Sequence, residues 1–431
     1  MSREGQPGRG VPPRRAALTM LRAVRQGDAF DRALAAAVEG LGEADRRLAH
    51  EIAAGVLRTR HELDDTIRPR VTGEWRRVTD DVRDLLRIGA YQLTALTRVP
   101  PHAAVAATVE ITKQEHGDRS AGFVNAVLRR LARERAEGAA PPAPPHALES
   151  AADLGRHYSH PEWLVARWLD RYGRARTTAL LEHNNRPPAT VLQPARWSGT
   201  ELEAALAAAA IPFETSPERP GYAVRGVRIK DLPGFAEGGF VVQDAAQALA
   251  LAHLRIPDGA QVWDACAAPG GKTAVLARRC RVIASDVRRA RLPRLVETVR
   301  RAAPTALVLC ADALHVPFAA GRTDVVVVDV PCTATGTLAR HPDARWRASP
   351  ARLARLTALQ ETLLDAAAPI VRPGGALGYM TCSLEPEENE HQVSRFLARH
   401  PEYRRDGDDF ALFPPDRGTD GAYATRLVRT A

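Results

Sequence analysis

Gln261-Val262-Trp263-Asp264-Ala265-Cys266-Ala267-Ala268-Pro269-Gly270-Gly271-Lys272-Thr273 reads as a strand, a tight turn and the first residues of a helix. The Pro-Gly-Gly turn removes side-chain bulk, so backbone can approach a ligand closely. Two phosphate-binding explanations fail on the spacing. A P-loop needs glycine at position 266, which is Cys266, and the dinucleotide fingerprint G-x-G-x-x-G is absent. Downstream, apolar runs at 282–285, 306–309, 324–328 and 376–380 alternate with helical patterns. The longest of these helices runs from Pro350 to Val371, with Leu353, Leu356, Leu359, Leu363 and Ile370 on one stripe. From Phe240 onward this alternation predicts a doubly wound, Rossmann-like α/β sheet, and the unbroken valines of 325–328 predict a central strand.

Acidic residues close successive predicted strands: Asp286 after the second, Asp312 just past the third and Asp329 at the fourth. Asp286 sits where a carboxylate meets ribose hydroxyls. Three carboxylates around a nucleoside suit a cation without phosphates, so S-adenosylmethionine, a sulfonium, fits where metal-free ATP does not. Each aspartate taken alone is more often a turn or helix cap, and their joint placement is what points to a ligand.

Two cysteines follow apolar strands: Cys332 in Asp329-Val330-Pro331-Cys332 and Cys382 in Thr381-Cys382-Ser383. Ends of strands on one edge of a parallel sheet lie close, so both thiols are expected in one site. Their chemistry would be methyl transfer onto carbon. Carbon 5 of cytosine becomes nucleophilic only after a thiolate adds at carbon 6. The ring nitrogen then needs a proton or hydrogen bond, a role for Asp329, and a second thiol assists release of the product. Cys280 and Cys310 read as small core residues. With Cys266 that makes five cysteines, without C-x-x-C or zinc spacing, which argues against a disulfide framework or a metal site.

Upstream the pattern changes. Residues 1–13 read as a disordered polar tail and 14–138 as all-helical, with Thr79 and two aspartates starting one helix. Arg129, Arg130, Arg133 and Arg135 form a stripe that suits either RNA or solvent. Residues 139–155 read as a Pro/Ala linker and 156–238 as a small α/β region, leaving 239–431 for the large sheet. The 431 residues carry a net charge of +9, which favours a polyanionic partner. No apolar run approaches the roughly 20 residues that span a bilayer. The start lacks the apolar core of a secretory signal, so the cytoplasm is the expected location.

The strings DACAAPGGKT (264–273), DVPCTATG (329–336), HPDARW (341–346) and YMTCSLEPEENE (379–390) resemble the Nol1/Nop2/Sun family of RNA cytosine-5 methyltransferases. With an amino-terminal region similar to NusB-type domains, residues 14–431 resemble its bacterial Sun/Fmu branch, which acts on 16S rRNA. The resemblance implies a class I S-adenosylmethionine-dependent methyltransferase domain and a small α/β RNA-binding subdomain. Cys382 would be the nucleophile and Cys332 would aid product release. Cys266, Ala267, Ala268, Pro269, Gly270, Gly271, Lys272, Asp286, Asp312 and Asp329 would contact S-adenosylmethionine, with Asp329 also facing the cytosine. The implied partner is 16S rRNA or a small-subunit precursor, bound by a monomer without metal or membrane. Arg340, Arg345, Trp346 and Arg347 would line the approach of an unstacked base, with core packing the alternative for Trp346. His341 reads as structural. Thr333 replaces a common serine, and Ala422 a common aromatic. Rival readings keep the chemistry on tRNA or another RNA, or make the chain a non-catalytic assembly factor.

Overall fold

A computed structural model of the chain describes residues 10–138, 149–315 and 318–430. They divide into two units: one runs to Arg186 and includes His341–Arg347, and the other holds 187–340 and 348–431. No described helix is long and apolar enough to cross a membrane.

The first unit is helical. It contains α1 (Val11–Arg25), α2 (Phe30–Ala37), α3 (Glu43–Arg58), α4 (Arg60–Ile67), α5 (Asp80–Ala95), α6 (Pro101–Ala136), α7 (Ala151–His157) and α8 (Glu162–Asn185). Apolar stripes of these amphipathic helices meet around Leu18, Met20, Ile52, Leu85, Leu86, Ile88 and Leu128, all fully buried. Three boundaries differ from the sequence reading. The expected tail to residue 13 is too long, because α1 starts at Val11, with Pro12 and Pro13 in its first turn, where no N–H is needed. Of the expected linker, 139–148 lie outside the described residues. The remainder is helical from Ala151, fixed by a reciprocal Ser150/Asp153 capping box. Within 156–238 the sequence reads as a helix from about Glu162 to Tyr172, but the helix continues to Asn185, bent and not stopped at Gly173.

The second unit opens with β1 (Thr190–Pro194), α9 (Gly199–Ala208), β2 (Phe213–Ser216), β3 (Arg219–Val224) and β4 (Phe240–Val242). Its four strands form an antiparallel sheet in the order β2-β3-β1-β4, packed on Leu192, Leu202, Leu206, Val224 and Phe240. Next come α10 (Ala245–His253), β5 (Gln261–Asp264), α11 (Gly271–Leu276), β6 (Arg281–Asp286), α12 (Leu292–Ala302), β7 (Leu307–Cys310) and β8 (Thr323–Asp329). After α13 (Ala344–Arg347), part of the helical unit, come α14 (Pro350–Ala367), β9 (Val371–Thr381), α15 (Glu390–Arg399), β10 (Tyr403–Arg405), β11 (Phe410–Leu412), α16 (Pro414–Arg417) and β12 (Ala422–Arg429).

The large sheet has the order β10-β12-β9-β8-β5-β6-β7, with β11 also paired to β12. Strands β5 to β9 are mutually parallel, and β12 adds antiparallel to β9. The chain runs outward from β5 through β6 to β7, then returns to place β8 on the other side of β5. That reversal opens a crevice at the carboxyl ends of β5 and β8, where open α/β sheets bind ligands. The expectation of two core cysteines holds for Cys280 only. Cys310 is exposed, because β7 is the sheet's edge strand and its neighbour Leu307 is also 63% exposed.

Candidate active site

Strands β8 and β9 are in register, Asp329 opposite Met380, so the segments that follow them leave the sheet side by side. Cys332 Sγ and Cys382 Sγ thereby come within 3.2 Å. The turns carrying them are tied by backbone: Gly336 N–H donates to Cys382 O (3.0 Å), and Gly421 N–H to Gly336 O (2.7 Å). A side chain at Gly336 would lie 2.8 Å from Cys382 O and 2.9 Å from Gly421 Cα, so this close crossing requires glycine.

Cys332 has its pKa raised well above the usual thiol value, first by its hydrogen bond to Cys382, then by burial and by the charges of Cys382 and Glu388. Either sulfur can be the donor in this contact.

Around the pair lies a buried polar cluster that sequence reasoning missed. The fully buried Glu388 carboxylate accepts from Thr333 N–H (2.9 Å), from the Thr333 hydroxyl and from Gln360 Nε2 (2.9 Å). Gln360 also donates to Pro331 O (2.9 Å). Burial pushes the Glu388 carboxyl upward, opposed by hydrogen bonds from Ser383, Thr333 and Gln360. The residues on both sides of Cys332 are thus held by two linked side chains, Gln360 on Pro331 and Glu388 on Thr333. Thr333 contributes the hydroxyl that serine would. The signal was present in the string Glu385-Pro386-Glu387-Glu388-Asn389-Glu390, where two of the four glutamates, Glu385 and Glu388, are buried.

Across the crevice, Lys272 Nζ donates to Asp329 Oδ2 at 2.7 Å. Burial works against this ammonium, but Asp329, by charge and hydrogen bond, and then Asp264 and Cys382, raise its pKa. Asp264, fully buried at the end of β5, accepts from Thr273 Oγ1 at 2.7 Å, and its Oδ1 has no partner. Burial pushes its carboxyl up to about 6, against the Thr273 hydroxyl and Lys272. Asp286, at the end of β6, accepts from Arg288 N–H (2.9 Å); Arg291 lies 3.2 Å from its Oδ2 without hydrogen-bond geometry. The Cys266 thiol is pushed up by burial and by Asp286, Asp329 and Asp264. Ala265 N–H donates to Val327 O (2.9 Å) and Ala267 N–H to Ser285 O (2.8 Å), so the Cys266–Lys272 turn hangs between β8 and β6. Gly270 closes it with φ +103°, a conformation that side chains resist.

Asp312 is less enclosed. Its carboxylate caps Leu314 N–H (3.0 Å) and meets His315 Nδ1 (3.2 Å), as a turn aspartate does. The expected approach residues are also placed differently. Arg340 is locked between Asp244 (2.9 Å) and Asp420 (3.0 Å). Arg345 is fully buried inside the helical unit, donating to Ser159 O (3.1 Å), Asn184 O (2.9 Å) and Asn185 Oδ1 (2.7 Å). Trp346 is half-buried there and donates to Leu57 O (2.7 Å), while Arg347 pairs with Asp343 (2.7 Å). Among the described residues no group of three or more His, Cys, Asp or Glu is placed to hold a metal ion.

Residues 251–427 match the 16S rRNA methyltransferase RsmB/F family, 11–133 the NusB family and 160–225 the ferredoxin-like domain of RsmF/B-like methyltransferases. The chain is 36% identical to ribosomal RNA small subunit methyltransferase B of Erwinia tasmaniensis, over 96% of this chain and 97% of that protein. Identity to the Vibrio cholerae protein of the same name is 35%, over 96% of each. Among solved structures, PH0851 superposes with a TM-score of 0.79 at 23% identity, covering 99% of this chain and 100% of the other. NSun6 from Pyrococcus horikoshii with SFG gives 0.57 at 18% identity, covering 63% and 98%. The expected architecture holds: a NusB-like helical domain, a ferredoxin-like subdomain and a methyltransferase sheet.

Proposed function

The chain belongs to the family of ribosomal RNA small subunit methyltransferase B, and on that footing we propose that it methylates carbon 5 of a cytosine in 16S rRNA through a Cys382 adduct. The observation that carries this reading is the 3.2 Å sulfur pair. A site needing one nucleophile would not require two thiols in contact.

The methyl donor is S-adenosylmethionine, which supplies an electrophilic methyl on a positively charged sulfur. The residues fit it. Two buried aspartate oxygens, Asp264 Oδ1 and Asp286 Oδ2, lack hydrogen-bond partners at the crevice, beside a glycine turn that admits close approach. Asp286 and Asp312 would take ribose and base, and the Cys266–Lys272 backbone the amino-acid end.

The Cys382 thiolate adds to cytosine carbon 6, forming the S–C6 bond, and ring nitrogen 3 gains a proton from the Lys272–Asp329 pair. Carbon 5 is then an enamine carbon, able to take the methyl group. Once Cys382 is a thioether, its hydrogen bond and charge no longer oppose ionisation of Cys332, which passes its proton to solvent. The Cys332 thiolate next removes the carbon 5 proton. The S–C6 electrons return to Cys382, the C5=C6 bond re-forms, and nitrogen 3 gives back its proton. Both thiols end as they began. The expected product, 5-methylcytosine in unmodified 16S rRNA incubated with protein and donor, is read by nucleoside mass spectrometry; methyl at any other atom would overturn the reading.

A further inference from the structure

The helical unit holds a cavity of about 370 Å³ lined by Arg60, His61, Arg68, Trp75, Arg83 and Trp346, among others. That volume lies within the ~300–1,000 Å³ of small-ligand sites. Nearly every guanidinium facing it is already neutralised. Arg87 is gripped by Asp64 (2.7 Å) and Asp84 (2.8 Å), Arg83 meets Asp80 (3.2 Å), Arg76 meets Glu74 (2.9 Å) and Arg68 meets Asp65 (3.6 Å). Arg60 is the exception, with no ion pair or hydrogen bond among the described residues. Its guanidinium carbon sits 4.9 Å over the Trp346 ring, which the His61 ring meets edge-on at 5.0 Å. Burial and the neighbouring Arg87 weigh against its charge, and the more distant charges of Asp84, Asp64 and Asp80 oppose them without pairing with it. At the rim, Trp75 is half-buried and carries the Arg83 guanidinium at 5.7 Å.

We propose that this cavity binds one nucleotide of single-stranded RNA, its phosphate on Arg60 and its base against Trp75. An unpaired guanidinium supplies the phosphate contact, and indole faces stack any base. The phosphate chemistry would also suit a free mononucleotide, so the experiment separates the two. The proposal rests on RNA being the substrate but not on which atom is methylated.

The test uses the full-length protein and a fluorescent 16S rRNA fragment, with affinity measured across a salt series. Arg60→Gln is expected to weaken binding about tenfold and lower the salt slope by about one phosphate's worth. Trp75→Ala should weaken binding at every salt concentration without changing the slope. Methylation by either variant at saturating RNA should match wild type, so the defect falls in KM and not kcat. Thermal melting checks that each variant is folded. RNA affinity and slope within twofold of wild type for both folded variants would overturn the proposal. So would Arg60-dependent binding of adenosine 5′-monophosphate accompanied by unchanged RNA affinity. Loss of RNA binding with methyl found on another atom would leave this site standing and remove the cytosine-5 reading alone.

Discussion

Glu388 and Arg345 are both charged, both fully buried and both taken from strings that mark the family, yet they serve different regions in different ways. Glu388 sits behind the two cysteines, and the donors that surround it come from the loop bearing Cys332 and from α14. Arg345 sits in the helical unit, and its acceptors come from the turn after α7 and the end of α8. One region spends a buried charge on fixing a reactive loop, the other on joining helices. A buried charge is costly unless hydrogen bonds surround it, so each marks a place where a particular geometry is worth that cost. The lesson is that a family string does not by itself say whether its charged residue faces a ligand.

Removing either charge tests the contrast. Arg345→Ala strands several buried carbonyls at once and should destabilise the helical unit by about 3–5 kcal/mol. Hydrogen exchange should show the loss in α7 and α8, with β5 to β9 protected as before. Loss of protection confined to the sheet would contradict the assignment.

The Glu388 variants should behave in the opposite sense. Glu388→Ala leaves the Thr333 amide and Gln360 without their acceptor, worth about 2–3 kcal/mol. Activity should fall about 100-fold as the Cys332 loop loosens, while donor affinity measured by calorimetry stays unchanged. Glu388→Gln keeps one carbonyl oxygen for the Thr333 amide and should recover most of that activity. Equal damage from both substitutions would show that the loop does not depend on this geometry.

A smaller effect separates the regions by pH. His160, fully buried in the helical unit, donates through Nδ1 to Tyr158 O (2.7 Å) and lies 3.2 Å from Asn184 Nδ2, as a neutral ring does. Burial, then the Arg345 charge, holds its pKa well below the usual value. Below about pH 6.5 the unfolded chain takes up this proton and the folded one does not. Stability of the helical unit is therefore present above that pH and lost as pH falls, by up to ~1.4 kcal/mol per pH unit. Denaturation from pH 7 to pH 5 should show this slope for wild type and a reduced one for His160→Gln. Identical slopes would contradict a buried neutral histidine.

Much of the catalytic half was legible because its physics is local. Continuous valine in 325–328 marks a central strand, and the glycine turn after Asp264 fixes where the crevice opens. Two cysteines after adjacent parallel strands had to converge, as Sγ–Sγ contact shows. The antiparallel edge was not legible: β10 carries Tyr403-Arg404-Arg405, and β12 becomes a strand through pairing with β9, a partner more than 40 residues upstream. Arg345 was misread for the same reason. Its burial depends on carbonyls from two distant segments, and nothing in His341–Arg347 alone reveals them. Cys310 follows an apolar run like any core residue, but only the strand order puts it on the edge.

The central claim is that Cys382 forms the covalent bond and Cys332 breaks it. The most direct test incubates Cys332→Ala with S-adenosylmethionine and unmodified 16S rRNA, then looks for a protein–RNA band on a denaturing gel. Cys382→Ala and the double variant run beside it. The account predicts a stable band from Cys332→Ala and none from the other two. A band from Cys382→Ala, or no band from Cys332→Ala while wild type methylates the same RNA, would contradict it.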